Sequence, residues 1–82
     1  MDLVKLTEVI IKKIVSDPES VTVKEFETDE ENTIKIEVLI SSDDMGKVIG
    51  KDGKIINSIR TIIQASSSLE DNKKVRINVD SY

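Results

Sequence analysis

The residues with the most chemical content lie together at positions 48–56, Val48-Ile49-Gly50-Lys51-Asp52-Gly53-Lys54-Ile55-Ile56. Two glycines three apart separate two helical patterns, so one helix must end and another begin within a tetrapeptide. The simplest explanation is a helix–helix turn that needs positive φ at a glycine. The same arrangement also presents something to a ligand. A helix N-terminus carries backbone N–H groups without intrahelical partners and the positive end of its dipole, and both favour an anion. Bare glycines let a sugar-phosphate chain approach closely, with Lys51 and Lys54 beside it as mobile cations and Lys47 adding local field. Val48, Ile49 and Ile56 are candidates for an apolar floor, Ile56 also for the core. Asp52 has two readings: a carboxylate that repels phosphate and offsets one lysine contact, or an N-cap for the second helix with its side chain turned to the backbone. Arg60 lies about 40 degrees beyond the aliphatic stripe of that helix. It suits either a nucleic-acid contact or a structural ion pair.

Other phosphate motifs fail on spacing. A P-loop requires Gly, four residues, then Gly-Lys-Ser/Thr. Gly46 and Gly50 stand one residue too close, and Asp52 occupies the place of the hydroxyl. The dinucleotide fingerprint fails because Val48 replaces its middle glycine. Asp43 with Asp44 reads as helix-start charge, and Asp29, Glu30 and Glu31 as a solvated turn, rather than as paired catalytic carboxylates. The chain has no histidine and no cysteine, which removes the usual general base, thiolate nucleophiles and sulfur-dependent zinc sites. No enzyme activity, cofactor or metal is expected.

Composition bounds the rest. Eighty-two residues, 38% hydrophobic and 34% charged, describe one small globular domain spanning 1–82. No apolar run reaches membrane length and the start lacks a secretory layout, so a cytoplasmic location without membrane insertion is expected. The net charge of −4 conceals a gradient. Residues 17–37 hold eight acids and two lysines, whereas 45–66 hold Lys47, Lys51, Lys54 and Arg60 against Asp52 alone. Binding of a polyanion depends on the field at the contact face rather than on the average.

The elements that must position this segment follow from periodicity. Leu3, Thr7, Ile10 and Ile14 predict a helix over 3–15, which Pro18 ends by removing a donor and displacing Asp17 from helical geometry. Its apolar residues spread over roughly 240 degrees, about twice what one sheet-facing side requires. Either it lies deep in a corner of the fold, or Leu6 or Val9 joins a protein interface. Residues 21–26 and 33–40 read as strands, the second with Ile34, Ile36, Val38 and Ile40 on one face. Ser41, Ser42, Asp43 and Asp44 are expected to cap a short helix through Val48. A longer helix runs from Gly53 to about 66 with Ile55, Ile56, Ile59, Ile62 and Ile63 in one stripe. Residues 66–74 read as a polar loop before a last strand containing Val75, Ile77 and Val79. Phe26 and Tyr82, the only aromatics, are too few for a base-stacking platform.

The aliphatic-Ile-Gly-x-x-Gly-x-x-aliphatic run between two helices resembles the KH domains of RNA-binding proteins. With a helix and strand ahead of it, the order resembles the type II, prokaryotic topology. Similarity is closer to the KhpA family of small single-KH bacterial proteins. It lies in Asp44-Met45-Gly46-Lys47-Val48-Ile49-Gly50-Lys51-Asp52-Gly53, in Ile59-Arg60-Thr61-Ile62-Ile63, and in the junction Asp17-Pro18-Glu19-Ser20-Val21-Thr22-Val23. The resemblance implies an α+β fold, α-β-β-α-α-β, with a three-stranded mixed sheet against three helices. It also implies RNA binding or chaperoning, with roles in cell shape and wall biogenesis. The implied partners are single-stranded RNA, a second copy, and a larger KhpB-type protein; the alternative is a protein-interaction subunit with little RNA affinity of its own. Asp52 departs from the usual basic or neutral loop pair of that family.

Overall fold

The computed structural model describes residues 2–82. Helix α1 covers Leu3–Ile14. The Asp2 carboxylate caps it by accepting from Lys5 N at 3.1 Å, and Lys12 and Lys13 in its last turn oppose the negative end of its dipole. Pro18 stops it as predicted and opens a 3-10 turn, Pro18–Ser20. Strand β1 is Thr22–Phe26 and β2 is Thr33–Ile40; the acidic stretch between them turns with Asn32 at φ 55°, a conformation asparagine tolerates.

Strand β3, Lys74–Ser81, completes a mixed sheet of order β1-β2-β3. β1 runs antiparallel to β2, with Val23 opposite Val38. β3 runs parallel to β2, with Ile36 opposite Ile77. A parallel pair needs a long crossover, and helices α2, Met45–Ile49, and α3, Lys54–Glu70, form it. The sheet is covered on one face. Ile36, Val38 and Ile40 point into the core with Ile11, Ile59 and Ile63, while Lys35 and Glu37 pair across the outer face at 3.4 Å.

Several expectations are corrected. Helix α3 continues to Glu70, four residues past the predicted end, because serine here folds back on the chain instead of breaking the helix. Ser66 Oγ donates to Ile62 O at 3.0 Å, and the buried Ser67 Oγ donates to Lys73 O at 2.7 Å. The polar loop shrinks to 71–73, where Asn72 at φ 53° closes the helix. The stripe on α3 is narrower than predicted: Ile56, Ile59 and Ile63 are buried, but Ile55 and Ile62 face solvent. On α1 the wide apolar arc is largely accommodated. Leu3, Thr7 and Ile11 are buried, Leu6, Ile10 and Ile14 pack half-buried against the core, and Val9 is exposed. The expected caps at 41–44 are also absent, since neither Ser41 nor Asp44 makes a side-chain cap bond.

Candidate nucleic-acid interface

The 50–53 loop lies between α2 and α3. Gly50 closes α2, donating N–H to Gly46 O at 2.9 Å, and has φ 76°, ψ 174°. Asp52 follows at φ 57° and Gly53 at φ 75°, so three of four loop residues take conformations that L side chains rarely adopt. At Gly50 there is a second reason for glycine. An added Cβ would lie 2.6 Å from Cγ1 of Ile55, well inside contact distance. The backbone of Gly50 is therefore seated directly against the first turn of α3.

The loop's own hydrogen bonds correct the expectation that the Gly53 end is open. Gly53 N donates to Gly50 O at 3.2 Å, and Lys54 N donates to Lys51 O. The amides of Lys51 and Asp52 come first in this turn and have no partner within it. They are the donors left for an anion.

The side chains divide into free and committed groups. Lys51 and Lys54 are exposed and make no hydrogen bond or ion pair among the described residues. Lys47 is exposed, but its ammonium donates to Ser16 Oγ and lies 3.9 Å from the Asp44 carboxylate. Asp52 is not the cap: Gly53 occupies that position and no side-chain cap bond is made. Its carboxylate stands exposed on the loop. Val48 is fully buried in the core and supports the loop from beneath, as does Ile56; neither side chain lines a groove. Ile49 is half-buried. Arg60 makes no ion pair among the described residues. Its guanidinium donates through Nε and Nη2 to Ile77 O at 3.3 and 3.0 Å and through Nη1 to Asn57 Oδ1 at 3.2 Å, tying α3 to the sheet edge. Arg76 is likewise committed, to both oxygens of Glu30 at 2.7 and 2.9 Å. That pairing holds the Glu30 carboxyl below its usual pKa and raises that of Arg76.

Two residues that sequence reasoning underrated set the loop's place. Ile55 supplies the surface that Gly50 rests on. Asp44 is buried and its two oxygens accept from Ser16 N at 2.9 Å and Asp17 N at 3.1 Å, anchoring the start of a helix only five residues long to the α1–β1 junction. No spacing rule reveals a bond across 28 positions. The Ser16 N–H is the main reason its carboxyl lies below the usual range, with the Asp17 N–H, the Ser16 hydroxyl and Lys47 adding to it against the opposing effect of burial. A folded-state pKa below the unfolded value stabilises the fold at neutral pH, and that contribution fades as pH falls through the folded pKa. Asp44→Asn is therefore expected to lower the thermal midpoint at pH 7 and to flatten its decline below pH 4. Circular dichroism melts at pH 7 and pH 3 check this; parallel curves for both proteins would contradict it.

Residues 4–79 match the family described as KhpA/KhpB, KH domain. The chain belongs to that family. Relatives called RNA-binding protein KhpA are 43% identical over 75 residues in Clostridium perfringens, covering 92% of this chain and 96% of the relative, and 44% identical over 70 residues in Listeria monocytogenes, covering 85% and 88%. The relative of that name in Thermotoga maritima is 40% identical over 75 residues, covering 92% and 95%. Among solved structures, Era in complex with MgGDPNP and nucleotides 1506–1542 of 16S ribosomal RNA superposes with a TM-score of 0.71 at 19% identity. That match spans 96% of this chain and 29% of Era, and at such identity it speaks to fold alone. The α-β-β-α-α-β order with its mixed three-stranded sheet is the type II KH fold.

Proposed function

We propose that the chain binds single-stranded RNA, gripping about four nucleotides of backbone with the 50–53 loop. The observation that carries this reading is a turn with two glycines at positive φ, whose leading amides have no partner within it, beside two exposed and unpaired lysines, Lys51 and Lys54. Lys51 makes the direct phosphate contact, Lys54 and Lys47 add field, and Ile49 contributes apolar surface. Arg60 supports the groove through the edge of β3. The names of the relatives agree with this assignment. The chemistry is binding without catalysis, consistent with an RNA chaperone that acts with a larger KhpB-type protein on RNAs governing cell shape and wall biogenesis. Among the described residues no helix is long and apolar enough to cross a membrane, and we place the activity in the cytoplasm.

Neutralising two or three phosphates on a single strand gives a slope of log affinity against log salt of roughly −1.4 to −2.1. Fluorescence anisotropy with uridine-rich and mixed oligoribonucleotides over a salt series measures it, and a flat response would contradict the mechanism. The exposed, uncapped Asp52 carboxylate favours one other reading, in which this chain is an interaction subunit and RNA affinity emerges only in the complex with the larger protein. Binding that appears only when that protein is added would select it.

A further inference from the structure

The two edges of the sheet differ in what covers them. Along β3, side chains of α3 occupy the outward backbone groups: Gln64 Oε1 accepts from Val75 N at 2.9 Å, and the Arg60 guanidinium donates to Ile77 O. Nothing equivalent lies along β1. Beyond its ladder with β2, the backbone of Thr22–Phe26 makes no hydrogen bond among the described residues. In an antiparallel pair every second residue directs its N–H and C=O away from the partner strand. β1 therefore presents a row of free donors and acceptors, the template for a further strand.

Charge around this edge selects the occupant. Residues 25–31 include Glu25, Glu27, Asp29, Glu30 and Glu31 and no basic residue. Glu30 is paired with Arg76, while the other four carboxylates are exposed and have no partner among the described residues. Phe26 stands among them, 49% exposed, and with Leu39 lines an open groove of about 540 Å³ on the outer face of the sheet. RNA is repelled from such a surface. A second copy fits poorly as well. Two β1 strands fully overlapped and antiparallel would set Lys24 against Lys24, and in parallel register Glu25 would meet Glu25; like charges directly opposite destabilise a strand pair.

We propose that β1 accepts an extended, lysine- or arginine-rich segment of a different protein as a fourth strand of the sheet. The segment's backbone pairs with 22–26. Side chains of a strand alternate between faces, so basic residues at every second position meet Glu25 and Glu27, and the apolar residue between them packs on Phe26 across the outer face. Opposite charge both draws the segment in and fixes its register. β1 and the 50–53 loop share no residue, and the proposal stands independently of RNA binding.

The probe is a synthetic peptide of about eight residues alternating valine and lysine, with a valine–glutamate peptide as control. Amide hydrogen exchange on the full chain reads strand pairing directly. At low salt the lysine peptide should bind with a dissociation constant on the order of 10⁻⁴ M and slow exchange at alternate amides within 22–26, and the glutamate peptide should not bind. Glu25→Lys combined with Glu27→Lys should weaken binding about tenfold or more, and Phe26→Ser about threefold. All three positions are exposed, so thermal melts of these variants should stay within a few degrees of the wild type. The proposal is overturned if the lysine peptide fails to bind, or if it binds while exchange at 22–26 is unchanged, which marks charge attraction without pairing. Equal affinity for the glutamate peptide, or for the Glu25→Lys, Glu27→Lys variant, would overturn it too.

Discussion

Gly50→Ala is expected to destabilise the protein by about 2–4 kcal/mol, although it adds only a methyl group. Two effects combine. The backbone at φ 76°, ψ 174° lies in a region open essentially to glycine, and holding another residue there costs on the order of 1–3 kcal/mol. The new Cβ would also meet Ile55 Cγ1 at 2.6 Å and Cβ at 2.9 Å, and overpacking costs about 1–3 kcal/mol. Ile55 is part-exposed and can give way to some extent, which keeps the total below the sum of the maxima. For a domain of this size such a loss lowers the thermal midpoint by roughly 10–25 °C. It is also a large share of a total stability of about 4–12 kcal/mol. The other two glycines set the scale. Gly53→Ala meets nothing closer than Asn57 Nδ2 at 3.6 Å, so it bears only the left-handed penalty of about 1–2 kcal/mol. Gly46 sits inside α2 with nothing within 4 Å of an added Cβ, and Gly46→Ala should stabilise by about 0.5–1 kcal/mol. Thermal melts of the three variants give the order directly. A Gly50→Ala protein as stable as Gly53→Ala would refute the claim that the loop is seated on Ile55.

Lys51→Asp is expected to weaken RNA binding by about tenfold or more at low salt while the thermal midpoint moves by no more than a few degrees. The Lys51 side chain is exposed and makes no bond within the described residues, so its loss removes no native side-chain contact. The substitution also puts a second carboxylate beside Asp52 where phosphate should lie. Asp52→Asn provides the opposite sign. Asparagine tolerates the left-handed conformation as well as aspartate does, no cap is lost, and affinity should rise about two- to fivefold as one repulsion disappears. Anisotropy titrations paired with melts separate binding from folding. Equal losses of both in Lys51→Asp, or binding indifferent to both substitutions, would remove the loop from the contact surface.

The contrast between these variants reflects what could and could not be read from the chain. β2 was legible to the residue because alternation over 33–40 admits only one buried face, and α1 ended where Pro18 required. The loop was legible because two glycines between helical patterns have few other uses. What escaped notice depends on contacts between distant segments. A run of serines at 66–68 reads as a loop, because serine competes for backbone bonds. That Ser67 instead bonds Lys73 O and extends α3 becomes visible only once β3 is in place. Asp44 looks like a cap and serves as a tether to Ser16 and Asp17. Val48 looks like groove lining and is core. Asp52 looks like the N-cap of α3, but the chain turns one residue later, at Gly53, leaving the carboxylate on the surface.

If RNA lies against the main chain of the 50–53 loop, amide chemical-shift mapping during titration with a uridine-rich oligoribonucleotide will locate the contact residue by residue. The largest shifts should fall on the amides of Lys51 and Asp52, with smaller ones at Gly50, Gly53 and Lys54 and little change on β1. Saturable shifts elsewhere, with the amides of positions 50–53 unmoved, would contradict it.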